Sequence, residues 1–148
     1  MERHTPVLLE HVTRLLAPQP GETFMDLTAG FGGHSAALLT KVGKSGYGYL
    51  FDQDFQAIQA LHERFDGQDN VMVVQSNFDE IDWEHMPKVD MILLDLGVSS
   101  VQLDEPERGF SFRADGPLDM RMDQESGESV AELVATLGES ELANIIYQ

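Results

Sequence analysis

Apolar residues recur along this chain in alternating rhythms. Val7, Leu8, Val12, Leu15 and Leu16 fall at helical spacing, and the run stops at Pro18. Thr23 to Thr28 reads as a first strand. Ala29-Gly30-Phe31-Gly32-Gly33 then breaks both rhythms and predicts a loop. His34 to Val42 returns to a helix with Ala36, Ala37, Leu38, Leu39 and Val42 on its apolar side, closed by Gly43 to Gly46. Tyr47 to Phe51 is a second strand ending at Asp52, and Phe55, Ile58, Leu61, His62 and Phe65 continue as a helix. Val71 to Val74 and Val89 to Leu94 are third and fourth strands, and Glu128 to Leu137 and Glu139 to Tyr147 are two further helices. Strands alternating with helices predict βαβ units, hence an α/β fold built on a parallel sheet with flanking helices.

One stretch escapes this pattern. After Met91, Ile92, Leu93 and Leu94 the chain shows neither period up to about Asp123, yet it is dense in reactive groups. Asp95, Asp104, Arg108, Arg113, Asp115, Asp119 and Arg121 are spaced by Pro106, Gly109, Gly116 and Pro117, with Phe110 and Phe112 between. A long aperiodic loop in a compact domain is functional or disordered, and disordered loops rarely interleave Phe and Met in this way. The composition shift near Asp104 divides the chain into residues 1–103, carrying the sheet, and 104–148, carrying this loop and the start of a helical region.

The chain has 148 residues, enough for one sizeable core. It has no cysteine, so thiolate nucleophiles, thiolate metal sites and disulfides are excluded. No apolar run approaches the ~18–20 residues of a membrane span, and the N-terminus lacks the apolar core of a signal peptide. A cytoplasmic protein without membrane association is expected. His4, His11, His34, His62 and His85 do not pair with carboxylates at ligand spacing, so no catalytic metal is expected. Nine basic against 26 acidic residues give a net charge of −17. Such a chain repels nucleic acid at long range.

Four clusters carry candidate chemistry. The first is Asp26-Leu27-Thr28-Ala29-Gly30-Phe31-Gly32-Gly33-His34-Ser35. Glycines after a first strand let backbone approach a ligand, and the next helix offers free N–H groups. The plainer alternative is a tight turn capped by Asp26. The second is Asp52, 22 residues beyond Gly30, the place of a carboxylate that accepts from ribose hydroxyls. Asp54 beside it is a helix cap. The third is Ser76-Asn77-Phe78-Asp79 after the third strand, with Phe78 either against a ligand or in the core and Asp79 a possible N-cap. The fourth is Asp95 with Gly97, Ser99, Ser100 and Gln102 at the end of the fourth strand, where open α/β sheets place ligands. Arg108, Arg113 and Arg121 suit phosphate or planar recognition, or else pair with neighbouring carboxylates.

Leu94-Asp95-Leu96-Gly97-Val98-Ser99-Ser100-Val101-Gln102-Leu103-Asp104, then Glu107-Arg108-Gly109-Phe110-Ser111-Phe112, then Asp115-Gly116-Pro117-Leu118-Asp119-Met120-Arg121-Met122-Asp123, together resemble the signature of the RsmH (MraW) family. A weaker match extends back to His4-Thr5-Pro6-Val7-Leu8-Leu9. The resemblance implies a Rossmann-like class I fold and S-adenosyl-L-methionine as cofactor. It also implies methyl transfer to N4 of a cytosine in 16S ribosomal RNA of the small subunit. It makes Gly30, Gly32, Gly33 and His34 the loop beneath the methionyl part, with Asp26 holding backbone or the cofactor ammonium. It gives Asp52 the ribose, Phe78 the adenine, and Asp95 and Gln102 further cofactor contacts. Asp95 and Asp119 are the candidates to accept from the target amine and take its proton. Members of that family are about twice this long, so the chain is expected to be an N-terminal piece, with the RNA-holding surface elsewhere. An acidic proteome is the other explanation for the charge.

Three other readings remain open at this stage. A methyltransferase for another substrate suits the acidity but leaves the match through Met120-Arg121-Met122 without a reason. A dinucleotide oxidoreductase shares the βαβ start but needs a GxGxxG that is absent. A truncated chain that binds cofactor without turnover is the third. A sheet of four strands exposes an edge, which predicts self-association, such as a homodimer.

Overall fold

The computed structural model describes residues 6–147; His4 and Thr5 of the family-like N-terminus lie outside them. The described chain divides into two compact units meeting at Leu96 and Gly97.

The first unit runs α1 (Leu9–Leu16), β1 (Thr23–Asp26), α2 (Gly33–Val42), β2 (Tyr47–Asp52), α3 (Phe55–Arg64), β3 (Val71–Gln75) and β4 (Met91–Leu93). The strands form one sheet in the order β3-β2-β1-β4, and every pairing is parallel. Phe24 of β1 lies opposite Gly48 of β2 and Met91 of β4. Consecutive βα units add strands outward from β1 to β3. The chain then returns past β1 to place β4 on its other side. The order therefore reverses between β1 and β4, the position beyond whose carboxyl ends open α/β sheets take ligands.

β1 is buried on both faces, as a central parallel strand requires. Phe24 packs with Leu38, Leu39, Val42, Leu50, Leu61 and Phe65 beneath the helices. Met25 points the other way, into a smaller cluster with Leu27, Phe51 and Ile81. That alternation follows from the two-residue period of a strand. Two strands are shorter than their apolar runs. β1 stops at Asp26 and β4 at Leu93 because the backbone beyond turns to bond neighbouring strands, Leu27 N–H to the Leu93 carbonyl and Ala29 N–H to the Phe51 carbonyl. α1 starts at Leu9 rather than Val7 because Leu8 is left-handed, with φ at 55°.

The second unit holds α4 (Ser100–Asp104), a 3₁₀ turn at Pro106–Arg108, α5 (Val130–Thr136) and α6 (Glu139–Tyr147). α4 and the 3₁₀ turn were not legible in the sequence, being too short to show a period. The loop between Gly109 and Ser129 is ordered by its own bonds. Met120 N–H donates to the Arg108 carbonyl, Val130 N–H to the Asp119 carbonyl and Ala131 N–H to the Leu118 carbonyl. Arg108 is buried, and its guanidinium donates to the carbonyls of Arg121 and Met122 at 3.3 and 3.0 Å.

Candidate cofactor site at the carboxyl end of the sheet

Asp26, the last residue of β1, is 1% exposed. Ser35 Oγ donates to it at 2.5 Å and Thr28 N–H at 3.3 Å. The carboxylate thus ties the strand end to the first turn of α2. Burial raises its pKa from 3.8 to about 6, against the lowering effect of these hydrogen bonds.

Asp52, the last residue of β2, fixes the glycine loop from the other side. Gly30 N–H donates to Oδ2 at 2.7 Å, and Asp54 N–H donates to Oδ1 at 2.9 Å. Burial raises this carboxyl as well, and the backbone donors of Asp54 and Gly30 partly offset it. Asp54 caps α3 by accepting from Gln56 N–H, as expected. Each carboxylate oxygen has two acceptor sites, so Asp52 keeps capacity for hydroxyls beyond its backbone donors.

Between these anchors the loop bends sharply. Gly30 has φ of 51°, and a Cβ there would meet nothing within 4 Å, so its outer face is open. Gly32 has φ of 74°, and a Cβ there would lie 2.8 Å from the Phe65 ring and 2.9 Å from Leu61. Only glycine satisfies both the left-handed backbone and that close approach. Gly33 sits under Pro6, whose Cγ is 2.3 Å from where a Cβ would be. Arg64 closes the outside by donating to the Phe31 carbonyl at 2.8 Å.

His34 is nearly buried. Its Nε2 lies 3.0 Å from the Val7 carbonyl and its Nδ1 3.9 Å from Asp95 Oδ2. Asp95 follows β4, its side chain is 55% exposed, and its N–H donates to Thr28 Oγ1 at 2.7 Å. Asp26, Gly30, Gly32, Gly33, His34, Asp52 and Asp95 therefore gather at the carboxyl ends of β1, β2 and β4. Thr28, Ser35 and the Val7 carbonyl join them. None of these three has a role legible in the sequence, because a hydroxyl or a carbonyl acquires one only from what the fold brings near.

Phe78 lies in a 3₁₀ turn (Phe78–Glu80) after β3, packed against the Met25, Leu27, Phe51 and Ile81 cluster. Asn77, not Asp79, caps that turn, its side chain accepting from Asp79 N–H. An Asx side chain reaches the N–H two residues on, which places the cap two residues before Asp79. An open groove of about 600 Å³ lies elsewhere in the first unit, along α1 and α2, lined by Leu9, Thr13, Ala37 and Lys41. It carries none of this chemistry.

In the second unit, Gln102 is buried and closes a capping box. Its side-chain carbonyl accepts from Ser99 N–H at 2.9 Å, and Ser99 Oγ accepts from Gln102 N–H. Asp119 and Arg121 form a two-point pair, Nε to Oδ1 at 2.8 Å and Nη2 to Oδ2 at 2.9 Å. That pairing holds the Asp119 carboxyl at about 2, which makes it a weak proton acceptor. The intraloop ion pair weighed for Arg121 is thus present. Phe112 is 88% exposed, with the Arg113 guanidinium over its ring at 5.6 Å. Among the described residues no His, Cys, Asp and Glu cluster suits a metal ion, and no helix is long and apolar enough to cross a membrane.

The sequence profile of the MraW methylase family matches residues 1–148. A ribosomal RNA small subunit methyltransferase H from Caldicellulosiruptor saccharolyticus is 43% identical, the match covering 100% of this chain and 50% of that protein. Its counterpart from Methylobacillus flagellatus is 44% identical, covering 100% and 47%. The chain spans about half the length of these curated relatives. Among solved structures, a SAM-dependent O-methyltransferase from Thermotoga maritima superposes with a TM-score of 0.55 at 19% identity, over 76% of this chain and 41% of that one. A protein-L-isoaspartate O-methyltransferase gives 0.55 at 17%, over 76% and 34%. Those two likenesses concern the fold, which is Rossmann-like as expected.

Proposed function

Since this chain belongs to the MraW methylase family, we propose that it carries the cofactor-binding half of an S-adenosyl-L-methionine-dependent methyltransferase. The whole protein's substrate is N4 of a cytosine in 16S ribosomal RNA. The observation that carries this reading is the Asp52 bridge. A carboxylate at the tip of β2 holds the N–H of Gly30, which follows β1, at 2.7 Å beside an open glycine face, at the carboxyl end of the sheet where such folds take ligands. Asp52 would accept from the ribose hydroxyls, Gly30, Gly32, Gly33 and His34 would line the methionyl part, and Phe78 would complete the contacts. Asp26 acts through Ser35 and Thr28 to hold the loop in shape.

The cofactor supplies an electrophilic methyl on a sulfonium. The chain must then align a weakly nucleophilic amine and accept its proton. Of the two carboxylates expected to do so, Asp95 suits the task better. It is half exposed beyond the end of β4, whereas both Asp119 oxygens are engaged by Arg121. The target base must leave its stack, which an RNA loop allows at low cost.

A second reading is favoured by the half-length match and the charge of −17: this chain by itself binds cofactor and transfers nothing. RNA methylation by this chain alone would overturn that reading. The cofactor site is tested by calorimetric titration with S-adenosyl-L-methionine beside Asp52→Ala. Losing charge-assisted hydrogen bonds worth about 1.5–3 kcal/mol weakens binding at least about tenfold. Equal affinity in a folded Asp52→Ala variant would remove Asp52 from the site.

A further inference from the structure

Two glycines brace the aperiodic loop of the second unit where its ends meet. Gly109 has φ of 78°, and a Cβ there would lie 2.5 Å from the Pro117 carbonyl oxygen and 2.8 Å from the Asp119 nitrogen. A Cβ at Gly116 would strike the Pro106 carbonyl. The backbone on either side of residues 110–115 is therefore pressed together in two places, and Met120 N–H closes the same neck by donating to the Arg108 carbonyl. A loop closed at its base loses less freedom when a ligand meets its tip. Phe112 and Arg113 stand at that tip. Arg113 N–H donates to Ser111 Oγ at 3.3 Å, which folds the turn. The Phe112 ring is turned to solvent, with the Arg113 guanidinium over it.

The second unit has three cations, Arg108, Arg113 and Arg121. Arg108 is buried against the carbonyls of Arg121 and Met122, and Arg121 is held by Asp119. Among the described residues the Arg113 guanidinium has no hydrogen-bond or ion-pair partner. A purely apolar partner would leave its five donors without acceptors. A simple anion would leave the ring in water. A nucleotide satisfies both, because its base stacks on an aromatic ring and its phosphate takes a guanidinium.

We propose that Phe112 and Arg113 form a nucleotide platform, on which an unpaired base of the RNA substrate stacks against the ring while its phosphate meets the guanidinium. This rests on the RNA-methyltransferase reading above and adds the residues of the second unit that meet the RNA. Every base has a π-face, so the platform positions an unpaired strand rather than reading its sequence. One cation in a chain of charge −17 makes this contact weak and dependent on salt.

The test is an NMR titration of the whole chain, its phenylalanine rings isotope-labelled, with a short oligocytidylate at low ionic strength, where charges are least screened. An abasic oligomer of the same length carries the phosphates without the bases. Phe112 ring signals should move upfield with oligocytidylate and far less with the abasic oligomer. Affinities come from the backbone amide shifts of residues 110–115. Phe112→Leu keeps an apolar side chain without a π-face and should bind oligocytidylate at least about fivefold more weakly, whereas Phe112→Tyr should stay within about twofold of wild type. Arg113→Gln should weaken binding and flatten the slope of log affinity against log salt by about 0.7. Both side chains are exposed, so all three variants should keep the wild-type melting temperature.

Equal affinity in Phe112→Leu overturns the platform, as does equal binding of the two oligomers or no oligocytidylate binding by the wild-type chain. Ring shifts on concentrating the chain alone also overturn it, because they put a second copy on Phe112. Titration with S-adenosyl-L-methionine separates this proposal from the one it rests on. Cofactor binding without oligocytidylate binding leaves the cofactor site standing and removes the platform. Oligocytidylate bound through Phe112 by a chain that takes no cofactor supports the platform and removes the cofactor site.

Discussion

Asp26 shows how a residue placed for geometry acquires a pH signature. Its carboxyl is raised by burial to about 6, above the 3.8 of the unfolded chain. The folded state therefore holds this proton more tightly. The stabilisation is complete below about pH 4, is lost as pH rises through 6, and does not return above it. The difference of two units corresponds to about 3 kcal/mol. Urea denaturation at pH 4 and pH 7 should show Asp26→Asn flattening the pH dependence by roughly that amount. Parallel curves for wild type and variant would mean that the buried carboxyl does not titrate as its surroundings imply. The sequence placed Asp52 at a strand end by its position after an apolar run, whereas Asp26 fell inside the expected first strand and ends β1 only in the structure. Their partners, Ser35 nine residues on and Gly30 twenty-two residues back, depend on how strand, loop and helix close on one another.

At the scale of elements, β4 is one of the two end strands of the sheet. Met91 and Leu93 are 8% exposed, while Ile92 and Leu94 between and beyond them are 47% and 44% exposed. Among the described residues β4 pairs with β1 alone, so its outer backbone groups have no strand beside them. An open parallel edge next to exposed Ile and Leu templates association with another chain. Sedimentation velocity should show association rising with concentration, and Ile92→Lys should shift the population toward monomer. A wild-type monomer at every concentration would show that the edge is covered in solution. The four-residue β1 and three-residue β4 also explain why element ends were misjudged. Both apolar runs continue past the last paired residue, and hydropathy does not record where a strand stops pairing. α4 is the converse: a five-residue helix defined by the Ser99–Gln102 capping box rather than by any apolar face.

At the scale of the whole molecule, the charge of −17 dominates behaviour toward RNA. Nucleic-acid affinity is built largely from cation–phosphate contacts with counterion release. Of the chain's cations, Arg108 and Arg121 are turned inward onto carbonyls and onto Asp119. Filter binding with a 16S ribosomal RNA fragment at physiological salt should detect no saturable complex. Tight binding with a steep salt slope would reveal a basic surface that the charge balance conceals. The sequence by itself determined the parallel α/β architecture, because apolar periodicity and glycine punctuation are local properties of a chain. It also determined the family, because about thirty nearly contiguous residues carry the signature. Only the tertiary structure decided what each polar residue does. It set Asp119 against Arg121, turned Phe112 outward, assigned the cap after β3 to Asn77, and brought the Val7 carbonyl to His34. Hydrogen-bond partners, burial and the pKa shifts they cause are distances between groups far apart in the chain. Those distances exist only once the sheet has assembled.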